Sequence, residues 1–221
     1  MALFGKTTAQ KITAPDISTA KISSATIITS CMSVTGDFKG TDTMHIDGKV
    51  TGNIHVNNTL VIGKSGVVEG NIEANNVIIN GELKGTIKCE ILEVMQTGVV
   101  SRHIEAKHIS LDGKIEGEII AKETISVLKN AIIEAKNLSA KNINVHGSIH
   151  GSVLASELLE IGSNGFVEGQ ITVKNIKTEE GGRMIGTMST YQEQSPQKAP
   201  EKKAVGKKEE KAKEEDFFDK K

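Results

Sequence analysis

The chain has 221 residues, a formal net charge of −1 and only 3% aromatic residues, with no tryptophan. This near-neutral balance gives no bulk electrostatic reason to bind nucleic acid, and so few aromatic side chains leave little for stacking on bases or sugars. The length suits one domain with flanking segments. We find no run of about 18 apolar residues and no signal peptide, so we expect an intracellular protein.

The N-terminal segment, residues 1–33, is rich in Ser, Thr, Ala and Ile without a clear period, and we predict a flexible arm with strand character at 25–28. Its first residues place the apolar side chains of Leu3 and Phe4 beside Lys6. Two interpretations stay open. The segment is an ordinary terminus, or it is a weak anchor on a membrane surface that a polymer with many copies strengthens by avidity.

Residues 34–188 repeat one short phrase: an apolar residue, any residue, glycine, any residue and a second apolar residue. Nine copies begin at Val50, Val68, Leu83, Val100, Ile115, Ile133, Ile149, Val167 and Met184, and seven of them keep the glycine. A repeat of roughly 17 residues is too short for a pair of helices. It fits one coil of a β-solenoid, in which three short strands are joined by corners.

Inside each coil, apolar and polar residues alternate as they do in a half-buried strand. Leu60 and Ile62 are predicted to point inward and Val61 outward, because successive side chains of a strand face opposite sides. The pattern predicts an all-β fold: a single-stranded β-helix of about nine coils at 34–188, with an incomplete first coil at 34–41.

The coils also alternate between a short and a long kind. Short coils turn through pairs such as Asp47-Gly48 and Asn80-Gly81, and we expect these glycines to adopt positive φ. Long coils use a looser corner, as at 62–68. The alternation counts against the left-handed β-helix of hexapeptide acyltransferases and related carbonic anhydrases, whose coils keep one length. Such a solenoid enzyme remains the alternative function.

Candidate metal and catalytic residues are weakly supported. His103 and His146 occupy positions that hold asparagine, aspartate or other polar residues in other coils, as surface residues do. Cys89 occupies an inward position that alanine fills elsewhere, which predicts a small buried filler. No P-loop or dinucleotide motif is present. We therefore expect no catalytic residue, no metal and no other cofactor.

The C-terminal segment, residues 189–221, is dense in Lys and Glu and has few aliphatic side chains, so we predict a disordered tail. Its Phe217-Phe218 pair has two interpretations, an inert terminus or a short docking peptide for a partner protein.

The ends of the predicted solenoid have no capping helix in the sequence. Uncapped strand edges pair with other molecules, so the sequence predicts a homopolymer formed end to end. The predicted contact residues are Phe38 at one end and Phe166, Met184 and Met188 at the other. Val61 and Ile78, outward in consecutive coils, are either a lateral contact between filaments or scattered surface residues.

The sequences MHIDGKVTGNI at 44–54 and IINGELKG at 78–85, with charged tails on both sides, resemble those of the bactofilins, which are bacterial cytoskeletal proteins. The resemblance covers residues 34 to about 125 well and the later coils more loosely. It implies a right-handed, triangular β-helix that assembles without nucleotide into non-polar filaments. It also implies a cytoplasmic scaffold for cell shape, cell-wall synthesis or polar proteins, often held at the inner membrane by the N-terminal arm. Family cores usually have fewer coils than this chain.

Overall fold

The computed structural model describes residues 25–192, which form one parallel β-solenoid of about ten turns. Within this range every regular element is a strand. The strands are β1 (Thr26–Ile28), β2 (Ser33–Thr35), β3 (Phe38–Gly40), β4 (Met44–Ile46), β5 (Lys49–Thr51), β6 (Ile54–Ile62), β7 (Val67–Glu69), β8 (Ile72–Ile79), β9 (Glu82–Lys88), β10 (Ile91–Val94), β11 (Val99–Leu111), β12 (Lys114–Val127), β13 (Ile132–Val145), β14 (Ser148–Ile161), β15 (Phe166–Thr178) and β16 (Arg183–Thr190).

Each coil has three faces, named A, B and C in chain order. In coil 1 these are β1, β2 and β3, and each pairs in parallel with the same face of coil 2, formed by β4, β5 and the start of β6. Later strands such as β12 run through faces B, C and A in succession and end at the corner between A and B. The incomplete first coil expected from the sequence is thus the first of the ten turns.

The core consists of aliphatic columns stacked along the solenoid. Leu60 and Ile62 are fully buried and Val61 between them is half-buried, which confirms the predicted alternation. Among residues 25–192 the buried side chains are all apolar. Each coil therefore buries its inward side chains against the coils before and after it, and no single coil has a core of its own.

The first strand lies before the predicted boundary at residue 34. β1 pairs with β4, and Ile28 is only 4% exposed in the core, so part of the stretch assigned to the arm forms coil 1. At the other end β16 continues to Thr190. Leu3 and Phe4 of the arm, and the Phe217-Phe218 pair of the tail, lie outside the described residues.

The corner between faces A and B alternates in length, and its glycines differ from our expectation. The short corner at Gly81 lies against the long corner of the preceding coil, where the amide of Gly66 donates to the carbonyl oxygen of Gly63. A Cβ on Gly81 would lie 2.3 Å from the Gly66 oxygen and 2.4 Å from the Gly63 oxygen. The expectation of positive φ is wrong for Gly48 and Gly81. Glycine is required there because two backbones approach closely.

The corner between faces B and C holds most of the glycines with positive φ, Gly181 at an A–B corner being an exception, and Arg102 interrupts this glycine column. Gly85 precedes Arg102 and Gly117 follows it in this column. Arg102 has a φ of 109° and is the one non-glycine residue with positive φ among residues 25–192. Its side chain is exposed. Such a backbone costs an L-residue about 1–3 kcal/mol.

Arg102→Gly is expected to raise the free energy of unfolding by about 1 kcal/mol, because the relief of strain exceeds the entropy that glycine loses on folding. Arg102→Ala is the matched control. It removes the same side chain but keeps the Cβ, so it should give no gain. Urea denaturation followed by circular dichroism measures both variants, and a glycine variant no more stable than the alanine variant would contradict the strain.

Candidate assembly surfaces at the two ends

Coil 1 leaves one edge of its three strands open. Among the described residues, β1, β2 and β3 pair with coil 2 alone, so the opposite backbone edge has no partner strand. Phe38 lies on the inward side of β3, half-buried and packed against the core. Ile27 and Met32 of the same coil are 62% and 48% exposed. This end therefore presents both free backbone groups and apolar side chains.

Coil 10 leaves the opposite end of the apolar columns open. β16 pairs only with β15 among the described strands. Met184 continues the column of Val167 and Met188 that of Ile171. The two methionines are 37% and 50% exposed, whereas Val167 and Ile171 are almost completely buried. The contrast arises because no further coil covers Met184 and Met188.

Phe166 lies one coil inside this end. It faces outward on face B between Ser148 and Arg183, and its ring centroid lies 5.7 Å from that of His150. The side chain is half-buried on the side of the solenoid, and its part in assembly stays a prediction.

Three exposed apolar residues at the ends, Ile27, Met32 and Ile185, were missed by the sequence analysis. Ile185 is 54% exposed at an outward position of β16. The signal that identifies Ile27 and Ile185 is an apolar residue at an outward position of a terminal coil. It becomes visible only when the first strand is placed at Thr26–Ile28.

Polar side chains on the sides of the solenoid form pairs between neighbouring coils. The Nδ1 atom of His55 lies 3.1 Å from Oε2 of Glu73, and that of His150 lies 3.1 Å from Oε2 of Glu168. Within residues 25–192, no group of three or more His, Cys, Asp or Glu side chains has an arrangement suited to a metal ion.

Cys89 lies in the column of small inward residues, paired between the coils of Ala74 and Ala106, and packs against the core. Burial raises the pKa of the Cys89 thiol to about 12. Because the thiolate is the nucleophilic form, this cysteine is suited to packing rather than to reaction.

A model of the bactofilin family, described as polymer-forming cytoskeletal, matches residues 26–112 and again residues 106–189. The chain belongs to the bactofilin family. The two matches overlap at residues 106–112 and together span nearly all of the described solenoid, so the family pattern occurs twice in one continuous stack of coils. No curated protein and no solved structure matches the chain.

Membership confirms the predicted family and fold and makes this bactofilin a polymer-forming cytoskeletal protein. Self-association follows from that description. In the part of the chain that the structure describes, there is no helix long and apolar enough to span a membrane.

Proposed function

We propose that solenoids of this bactofilin stack end to end, without nucleotide, into filaments that act as a scaffold and not as an enzyme. The observation that supports this most directly is the exposure of Met184 and Met188 on columns that are otherwise buried. A stacked partner covers these side chains and extends the backbone ladder at the same time. We assign Phe38 to one joint surface, Met184 and Met188 to the other, and Phe166 to the perimeter of the latter.

Stacking has a clear energetic benefit. Complete burial of a fully exposed methionine side chain contributes about 1.5–3 kcal/mol, and Met184 and Met188, which are 37% and 50% exposed, gain up to about half of that each. The backbone groups of coil 1 and β16 gain hydrogen-bond partners, as the open edge of a sheet does when it meets another strand. Since both the ladder and the columns run along the solenoid axis, the joint continues the fold, and neither a nucleotide nor a metal is needed to form it.

In the cell, such filaments organise cell shape, cell-wall synthesis or polar proteins from the cytoplasm. Leu3 and Phe4 form the proposed contact with the inner face of the cytoplasmic membrane, where each weak contact is multiplied along the polymer. The tail from residue 189 onward is the proposed recruiting segment for partner proteins.

Negative-stain electron microscopy of the purified full chain, without nucleotide or metal, tests the joint. We expect long thin filaments. The double variant Met184→Asp and Met188→Asp should raise the protein concentration required for filaments by about tenfold or more, because charges are placed in an apolar contact. Phe38→Asp tests the other end and Phe166→Asp the perimeter.

Ser110→Asp is the control, since Ser110 lies on the side of the solenoid, on face A of coil 6. It should leave filament length unchanged. Filaments of normal length from both end variants, or discrete compact trimers from the unaltered protein, would contradict the proposed function.

A further inference from the structure

Face B has a regular apolar stripe on its outer surface. The first outward residue of each coil on this face forms one column along the solenoid. Long coils contribute Val67, Val99, Ile132 and Phe166 to this column, and the short coils between them contribute Lys49, Glu82, Lys114 and Ser148. Ile132 is 48% exposed and the other three apolar residues are half-buried. Successive apolar residues lie two coils apart, about 9.6 Å.

Two ion pairs of opposite order flank the centre of this stripe. On coil 4, Glu82 precedes Lys84, and the Lys84 Nζ lies 2.7 Å from the Glu82 Oε1. On coil 6 the order is reversed: Lys114 precedes Glu116, and its Nζ lies 2.9 Å from the Glu116 Oε1. The pKa of Lys84 is raised by its hydrogen bond to Glu82 and, second, by the negative charge of Glu82. Glu116 raises the pKa of Lys114 in the same two ways. Val99 on coil 5 lies between the two pairs.

We propose that face B is a lateral contact between two copies of this chain, arranged antiparallel about a twofold axis at Val99. This axis sets coil 4 of one copy opposite coil 6 of the other. Glu82 then faces Lys114 of the second copy, and Lys84 faces Glu116. Each glutamate therefore lies opposite a lysine of the second copy as well as beside a lysine of its own chain, so neighbouring charges among these four side chains always have opposite signs.

The same register matches the apolar residues of the stripe. Val99 meets its own counterpart on the axis, Val67 meets Ile132 of the second copy, and Phe166 lies over the small Ser33 of coil 1. One kind of like-charged contact remains on this face, Glu69 with Glu134 of the second copy, and the twofold axis repeats it once. Its cost is reduced because the Nζ of Lys49 lies 3.5 Å from Glu69 within the same chain.

Neighbouring registers are disfavoured by charge. An axis on coil 4 sets Glu82 against itself, and an axis on coil 6 does the same for Lys114. Axes on coils 3 and 7 oppose Glu69 and Glu134 with their own counterparts. Coil 5 presents Val99 and Ser101 on this face, and its one charged residue, the exposed Arg102, lies at the corner with face C. Since opposed like charges select against wrong pairings, the charges specify the register while the apolar residues supply the attraction.

The occupant is a second copy because the stripe and its charges recur with the two-coil repeat of this solenoid. In another solenoid with the same two-coil repeat, matching residues lie opposite each other along the whole of face B. The contact is roughly 40 Å long and one short strand wide, or about 400 Å² from each partner, the size of a weak interface. Many such contacts act together when filaments lie side by side. The contact lies on the side of the solenoid and shares only Phe166 with the residues assigned to the end joints.

A thiol placed on the axis tests the contact. In a full chain with Cys31→Ser and Cys89→Ala, Val99→Cys should be joined into a covalent dimer by a short bismaleimide. Ser110→Cys, on face A, is the control and should give no covalent dimer. No dimer from Val99→Cys, or equal amounts from both variants, would overturn the proposal.

Charge reversal then tests the register. Glu82→Lys with Lys84→Glu keeps the net charge and the intramolecular pair but opposes like charges across the contact. We expect cross-linking at Val99→Cys to fall about tenfold. Adding Lys114→Glu and Glu116→Lys should restore it. Unchanged cross-linking in the first variant, or no recovery in the second, would refute the register.

The end variant Met184→Asp and Met188→Asp separates this contact from end stacking. At a protein concentration below the one that it requires for filaments, it should still cross-link through Val99→Cys, to a smaller extent because the avidity of the polymer is lost. Loss of the cross-link there would overturn the lateral contact, whereas persistent filaments would count only against the end joints.

Discussion

Gly151→Ala is expected to lower the free energy of unfolding by roughly 3–5 kcal/mol, a large effect for one methyl group. Gly151 has a φ of +134°, and a Cβ there would lie 1.8 Å from the carbonyl oxygen of Ala135 in the preceding coil. Both the strained φ and the contact involve backbone that parallel pairing on either side holds in place. Neither can relax without breaking the ladder.

Gly36→Ala is the matched control for this prediction. Gly36 occupies the same corner of coil 1 with a φ of +141°, but its added Cβ would have no heavy atom within 4 Å. It should cost only the conformational strain, about 1–3 kcal/mol. Both variants are measured by urea denaturation in a background with Phe38→Asp, Met184→Asp and Met188→Asp, which disrupts both joint surfaces so that no stacked partner covers Gly36. Equal losses would show that φ alone explains the glycine column.

The repeated coil was predictable because every coil satisfies the same local requirement. Leu60 and Ile62 point inward and Val61 outward, as the period of two predicts, and the same alternation holds in later coils. Ten repetitions of one pattern reinforce one another, so an error at a single position does not change the predicted fold.

The reason for each glycine was not predictable in the same way. Gly81 and Gly151 both follow a polar residue at a corner of a coil, yet only Gly151 has positive φ. At Gly81 the requirement comes from two carbonyl oxygens of the preceding coil. A close approach between coils depends on how they stack, and a sequence pattern within one coil does not contain that information.

The ends of the solenoid were harder to predict than the glycines. A terminal coil has much the same sequence pattern as an internal one and differs from it mainly in lacking a neighbouring coil on one side. The sequence predicts strand character at 25–28 but places this stretch in the flexible arm, although Ile28 is part of the core. Phe166 illustrates a signal that was present. Once Val167 points inward, the period of two places Phe166 on the outer side of face B.

Leu159→Ala is expected to lower the free energy of unfolding by about 3 kcal/mol, within the usual 2–5 kcal/mol for a buried leucine. Leu158→Ala, one residue earlier on β14, should cost less than about 1 kcal/mol. Leu159 is fully buried in the column of face A, whereas Leu158 faces outward and is half-buried. The two changes delete the same atoms from neighbouring positions, so their effects on the unfolded chain are nearly equal. The difference between their urea midpoints therefore measures burial in the column, and equal midpoints would contradict the inward assignment of Leu159.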